Sequence, residues 1–250
     1  MGLKILIPSR GRANCVKATS VVNGAILCVA ESQAEAYREF NPGVEVVAHP
    51  EELEIPGPVA RKWAWMYEHF GHHVFILDDD IVSCVRLHAA KGDSYKVSPE
   101  VATELIYSAD DIAAQMGCYL FGFNTQPDPR NYHGLKPFRM TGMCWASGMG
   151  LRPGSKIWWH EGFYIYDDFW IVLLNKYHHR FAFFDDRFCF RDAGDTFTGT
   201  GGAAEFRTKE IGKKDFELLK KYFGDAIKPK QDSPRSKRKS EWQPTLNVDF

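Results

Sequence analysis

Short apolar runs recur along the first half of the chain, and turn-forming residues close most of them. Residues 3–8 (LKILIP) run into Ser9-Arg10-Gly11-Arg12, and 24–30 (GAILCVA) and 44–48 form two further runs. Residues 73–77 (HVFIL) lead directly into Asp78-Asp79-Asp80, and 119–123 make a fifth run. Runs this short and this apolar predict buried strands. Between them lie segments with helical signals. Residues 31–40 open on Glu-Ser and carry Ala and Glu, and 58–70 (PVARKWAWMYEHF) begin with Pro and hold no later breaker. Ser98-Pro99-Glu100 opens a long helix reaching about Met116, with Ser at the cap and Pro in the first turn.

The second half is less regular. Residues 138–151 (FRMTGMCWASGMGL) are rich in Gly and Met, and 158–166 are strongly aromatic. Asp167-Asp168 precedes a helix-like segment at 169–177, 181–184 form a strand candidate, and 192–202 (DAGDTFTGTGG) look like a flexible loop. Residues 206–223 read as an amphipathic helix, and the polar, basic stretch from Pro229 reads as a tail that orders only on binding. The alternation of strand and helix predicts an α/β fold, with a mostly parallel central sheet and helices on both faces. Ligands of such sheets bind beyond the carboxyl ends of the strands. The Pro8 loop, Glu31 and the Asp cluster all follow strand ends and are therefore expected to converge on one crevice.

Composition adds exclusions. With 250 residues, 44% hydrophobic and 25% charged, the chain has the make-up of a globular protein with a sizeable core. The longest segment without charge, between Asp111 and Asp128, is broken by Gln115, Gly117, Gly122 and Asn124, so no membrane span is expected. The opening MGLKILIPSRGR does not read as a signal or an anchor, and Leu6 breaks the myristoylation pattern. Six scattered cysteines form no CxxC pair, which points to a reducing, cytoplasmic setting. The formal charge is only −1, yet residues 228–239 hold six basic residues against Asp232 alone.

The Asp cluster carries the strongest chemistry. Three adjacent carboxylates at the end of a buried strand repel one another unless a cation neutralises them. Mg²⁺ or Mn²⁺, hard cations that prefer oxygen, suit such a site. In an extended chain Asp78 and Asp80 would point the same way. The plainer alternative is a solvated turn or a helix cap.

A strand followed by Asp-x-Asp in an α/β domain resembles the GT-A (Rossmann-like) fold of glycosyltransferases. ILIPSRGR and VFILDDDI together resemble the phage branch related to the TET-associated DNA glycosyltransferases, which attach sugar to 5-hydroxymethylpyrimidines in DNA. The likeness is good over the first half; in the second it rests on Asp167-Asp168 and the helix after them. It implies a UDP-sugar donor, with glucose as the expected sugar, and a divalent metal, Mn²⁺ or Mg²⁺, held by Asp78 and Asp80. It implies donor contacts from Pro8, Ser9, Arg10 and Arg12 after the first strand, from Glu31 after the second, and from Arg61 and Lys62 on the helix before the Asp strand. Asp79 would face the donor sugar. A surface turn, a helix cap and a solvated helix face are the competing readings of these groups.

In inverting enzymes of this fold an acid at a helix start, in an x-Glu-Asp type motif, takes the acceptor's proton. Here the motif reads Tyr166-Asp167-Asp168-Phe169-Trp170, with Asp167 where Glu is usual, and Asp168 is the candidate base. Neighbouring Tyr164, Tyr166, Phe169 and Trp170 would desolvate it and raise its pKa. An N-capping Asp pair is the alternative, and a retaining enzyme would use another mechanism. The metal ligand usual near the C-terminus has no clear match; Asp192 and Asp195 are candidates. A DNA acceptor needs an extruded base and phosphate contacts. Lys228, Lys230, Arg235, Lys237, Arg238 and Lys239, with Ser236, Ser240 and Trp242, are the candidates for these contacts, against a merely solubilising tail.

The expected organisation is one domain over 1–228, with a nucleotide-sugar half at 1–125 and an acceptor half at 126–228, followed by a basic tail at 229–250. The expected function is metal-dependent transfer from a UDP-sugar to 5-hydroxymethyluracil or 5-hydroxymethylcytosine in phage DNA, in the host cytoplasm. The rivals are a GT-A enzyme acting on a glycan, lipid or protein, a metal-dependent nuclease using the Asp cluster, and a DNA-binding module without chemistry.

Overall fold

The structure, a computed structural model, describes residues 2–54, 57–90, 95–145, 147–193, 208–231 and 242–247. The predicted alternation is present. Strands β1 (Lys4–Pro8), β2 (Ile26–Ala30), β3 (Glu45–His49) and β4 (Val74–Ile76) interleave with helices α1 (Ala34–Phe40) and α2 (Ala60–His69). After β4 come β5 (Ile81–Arg86), α3 (Pro99–Gln115), β6 (Leu120–Phe123), β7 (Phe138–Arg139) and β8 (Met149–Leu151). The chain continues through α4 (Asp167–His178), β9 (Phe183–Asp185), β10 (Phe188–Asp192), α5 (Lys209–Phe223), β11 (Ile227–Pro229) and β12 (Pro244–Leu246). The Ser98 side chain caps α3 by accepting from the Val101 N–H, with Pro99 in the first turn, as its sequence predicts.

Among the described residues the central sheet has eight strands in the order β3-β2-β1-β4-β8-β6-β9-β7. β3, β2, β1 and β4 are parallel, so their carboxyl ends share one edge. β8 enters antiparallel between β4 and β6, and thereby joins strands from both halves of the sequence into one sheet. Alternation within β1 explains the layers: Leu6 packs on the side of α2, α4 and α5, whereas Ile5 and Ile7 pack with Tyr37 of α1 and Ile106 of α3. Helices therefore cover both faces, and each fully buried Ile, Leu or Phe contributes roughly 1.5–3 kcal/mol. Gly150 is required by this packing, because a Cβ there would run into the ring of its cross-strand neighbour Phe121.

Several elements were not predicted. β5 and β10 form a separate antiparallel pair that carries the chain away from the Asp cluster and back to it. The stretch after Pro229 is not wholly a free tail. Pro244–Leu246 pairs with Ile227–Pro229, and the Trp242 ring lies 5.9 Å from that of Phe216, with Lys213 Nζ 5.2 Å from its centroid. Partly buried Trp242 and Leu246 pack on the core cluster that holds Phe216, Leu219 and Ile227, and Pro244 is buried.

Candidate active site

The loop after β1 is built around Asp79. The Ser9 N–H bonds to the Cys28 carbonyl at 3.1 Å, extending the β1–β2 ladder by one residue into the loop. Ser9 Oγ then donates to Asp79 Oδ2 at 2.5 Å and lies 2.7 Å from the Tyr37 hydroxyl. Arg12 Nη1 reaches Asp79 Oδ1 at 2.7 Å, and the Asp79 carbonyl accepts from Lys17 N–H at 2.9 Å. Gly11, at φ +64°, supplies the left-handed turn that folds Arg12 back. Burial would lower the Arg12 pKa, but the Asp79 carboxylate outweighs it and raises it. Asp79 is thus turned toward Ser9 and Arg12, where it holds the loop.

Asp78 and Asp80 are each half-buried on either side of buried Asp79. They do not lie on an extended strand as expected. The β4 pairing ends at Ile76, and Ile81 N–H bonds to the Asp78 carbonyl at 3.3 Å, so the acids occupy a turn between β4 and β5. Burial, then neighbouring Asp79 and Asp192, raises the Asp80 carboxyl above the usual range, against Arg12. Asp192 arrives through the β10–β5 pairing, where it opposes Ile81, and the Ala193 N–H bonds to the Asp80 carbonyl at 3.1 Å. One of the two sequence candidates for a further ligand therefore stands beside the rim; the other, Asp195, lies outside the described residues. No group of three or more His, Cys, Asp or Glu among the described residues is arranged to hold a metal by itself. The rim nevertheless fits a hard cation in its donor set: Asp78 and Asp80 are half-buried carboxylates, and Asp79 and Asp192 add negative charge at Asp80 that a cation would offset.

A second hub lies at the ends of β1 and β3. Glu54, which the sequence did not single out, is buried and meets Lys62 Nζ at 2.9 Å, His49 Nε2 at 3.1 Å and Arg10 Nε at 3.3 Å. Burial would raise its carboxyl, but the hydrogen bond from His49 and the charge of Lys62 pull it down to about 2. Lys62 is therefore buried against Glu54, not displayed on a solvated helix face. Arg61 is more open and lies 3.9 Å from Glu161, and Glu31 is exposed in the turn after β2. A folded-state carboxyl pKa below its unfolded value stabilises the fold above the unfolded pKa, and that contribution is lost as pH falls through the folded one. Glu54→Ala should strand Lys62 without a partner, lowering stability by about 3 kcal/mol. It should also flatten the acid limb of wild-type stability between about pH 4.5 and 2. Denaturant melts across that range check both effects.

A further acid pair lies in the first turn of α4. Asp167 is buried and Asp168 half-buried at the helix start, where the helix dipole favours carboxylates. The backbone leading to them is held by buried Asp215 of α5, whose Oδ2 accepts from the N–H groups of Tyr164 at 3.0 Å, Ile165 at 2.6 Å and Tyr166 at 3.1 Å. Burial still keeps the Asp215 carboxyl above the ordinary range against those bonds. Asp215 gave no signal in the sequence, since one acid in a Lys-rich helix reads as surface charge. Asp168 is close enough to buried Cys144 to help raise its thiol pKa, after burial itself, and the Trp145 ring packs edge-on at 5.7 Å from Phe169.

A small pocket at the ends of β6 and β8 is lined by Phe123, Asn124, Thr125, Trp145, Ser147, Gly148 and Phe190; neither the rim acids nor those of α4 line it. Gly148 directly precedes β8, whose Met149 pairs with Ile76 just before the Asp turn, so the pocket adjoins the rim on one side. Cys144 and Trp145 connect it to the start of α4 on the other. Pro8 is buried at the end of β1 beside Cys28. Of the DNA-contact candidates, Lys228 and Lys230 are exposed on and just after β11, while Arg235, Lys237, Arg238 and Lys239 lie outside the described residues.

A mostly parallel sheet covered by helices, with an acid turn at its carboxyl edge, is a GT-A-like α/β fold. The family model of the TET-associated glycosyltransferases matches residues 3–202, and the chain belongs to that family. A search of curated proteins found no match. No helix among the described residues is long and apolar enough to cross a membrane.

Proposed function

We propose that the protein transfers a sugar, glucose by expectation, from a UDP-sugar to the hydroxymethyl group of 5-hydroxymethyluracil or 5-hydroxymethylcytosine in phage DNA, in the host cytoplasm. Asp78 and Asp80 would hold Mn²⁺ or Mg²⁺, which when bound would neutralise diphosphate charge. Ser9, Arg10 and Arg12, with Pro8, Glu31 and Arg61, form the donor wall; Lys62 and Asp79 act from behind it by holding Arg10's partner Glu54 and the Ser9–Arg12 loop. Asp168 accepts the proton of the hydroxymethyl group as its oxygen bonds to the anomeric carbon and the bond from that carbon to UDP breaks. Asp167 shares the helix start and supports the charge there. Lys228, Lys230, Arg235, Lys237, Arg238 and Lys239 contribute contacts to DNA phosphates.

The observation that carries this reading is an acid turn directly after β4, at the carboxyl edge of the parallel strands, together with an acid pair at the start of α4, in a member of this family. Incubation with Mn²⁺, a panel of UDP-sugars and hydroxymethylated DNA, followed by mass analysis of the released nucleosides, should give a nucleoside heavier by one sugar. DNA cleavage without a sugar adduct, or transfer only to a glycan, lipid or protein, would overturn it.

A further inference from the structure

Away from the pocket, one surface strip combines exposed aromatic rings with lysines that form no salt bridge among the described residues. Trp158 and Tyr222 are each about half exposed (48% and 50%). Between them, His160 lies nearly parallel to Trp158 (rings 5.8 Å apart, 26° between planes), and its Nε2 is 3.2 Å from the Tyr222 hydroxyl. Buried Trp170 braces all three edge-on at 4.9–5.2 Å, and its Nε1–H bonds to the Trp158 carbonyl at 2.7 Å. The rings are therefore held rigid while remaining open to solvent. On the same side, Lys214 Nζ sits 4.8 Å from the Tyr164 centroid and Lys221 Nζ 5.7 Å from that of Tyr222.

The lysines of α5 divide into two sets. Lys213 pairs with Glu217 and Lys220 with Asp225, at 3.7 and 3.1 Å. Lys214 and Lys221 contact rings instead and form no salt bridge among the described residues, although Lys214 lies near enough to buried Asp215 to pull its carboxyl down against burial. Glu161 is the exposed acid within the 158–166 segment, and it faces Arg61 at 3.9 Å. Exposed, braced rings beside lysines outside salt bridges match a polymer that alternates planar bases with phosphates. A neutral glycan would use the rings and leave the lysines idle. The strip also has a direction. It runs along residues 158–166 into the first turn of α4, and Asp215 ties that segment to the helix bearing the lysines.

We propose that Trp158, His160, Tyr164, Tyr222, Lys214 and Lys221 form the docking surface on which acceptor DNA lies, with phosphates on the lysines and an unstacked base against the rings. This rests on the functional reading above and adds to it a DNA contact within the folded domain, separate from the basic run after residue 230.

Fluorescence anisotropy with a hydroxymethylated oligonucleotide, single-stranded and duplex, over a range of salt concentrations tests the surface. Lys214→Gln/Lys221→Gln should weaken binding about tenfold and reduce the slope of log affinity against log salt by about 2. Trp158→Leu should weaken single-strand binding about tenfold with the slope unchanged. A charge-matched control, Lys4→Gln/Arg38→Gln on remote exposed positions, should bind as the parent does. Because Trp158 also packs on Trp170 and its replacement can unfold the protein, the surface lysine pair decides the question. Parent-like DNA affinity in that pair, or an equal loss in the control, overturns the surface. So does binding of the parent to phosphatidylserine vesicles but not to DNA. If the parent glycosylates DNA and the lysine pair has an unchanged KM for it, the surface alone fails. If the parent neither binds nor modifies DNA, the functional reading fails with it.

Discussion

Asp78→Asn/Asp80→Asn should lower metal-dependent sugar transfer by about a thousandfold or more, the scale of a lost metal contribution of several kcal/mol. Asparagine keeps the size and hydrogen-bonding oxygen of each side chain but removes the charge that attracts a cation. Binding of Mn²⁺ with UDP, followed by calorimetry, should disappear in the same variant. Its thermal stability without metal should be unchanged or higher. The Asp80 carboxyl is raised by burial and by the acids around it, so its ionised form strains the folded rim and the neutral amide relieves that strain. Asp79→Asn should behave in the opposite way. It removes one charged partner of Arg12 and weakens the acceptor of Ser9, so stability falls. Mn²⁺-dependent transfer persisting in the double variant would remove the rim from the mechanism.

Asp168→Asn should reduce turnover by about 10²–10⁴-fold, the usual contribution of a positioned general base, and leave UDP binding intact. The acidic limb of the pH–rate profile should go with it, because asparagine has no proton to exchange. Loss of UDP binding would instead mark Asp168 as part of the donor wall or of the fold. A product that keeps the donor's anomeric configuration would exclude the single-displacement role given to this residue. The half-buried position of Asp168 at the start of α4, beside Cys144 and one residue before Phe169, is what recommends it over its buried neighbour Asp167.

Much of the architecture was legible from local signals. Ser98 and Pro99 announced α3, Pro58 heralded α2, and the apolar runs ending at Pro8, Ala30 and Leu77 fell on strands whose carboxyl ends do share an edge. The candidate site was legible where it is contiguous in sequence, in the Asp triplet and in Asp167-Asp168. Its supports were not. Glu54 sits in a run of acids that reads as solvated surface, and Asp215 in a helix crowded with lysines. The antiparallel β5–β10 pair and the inserted β8 arise from short or Gly- and Met-rich stretches that carry no strand period.

The sequence by itself determined the alternation of strands and helices, the position of the acids just past β4 and at the start of α4, and the family. These depend on periodicity, capping and adjacent residues, which act over a few positions of the chain. Only the tertiary structure decided which distant charges meet: Asp79 with Ser9 and Arg12, Glu54 with Arg10, His49 and Lys62, Asp192 with Asp80, and Asp215 with the backbone before α4. Buried carboxylates must find cations or N–H donors wherever the packed sheet and helices bring them. That pairing is set by topology and burial, because no local pattern tells an acid which partner will reach it.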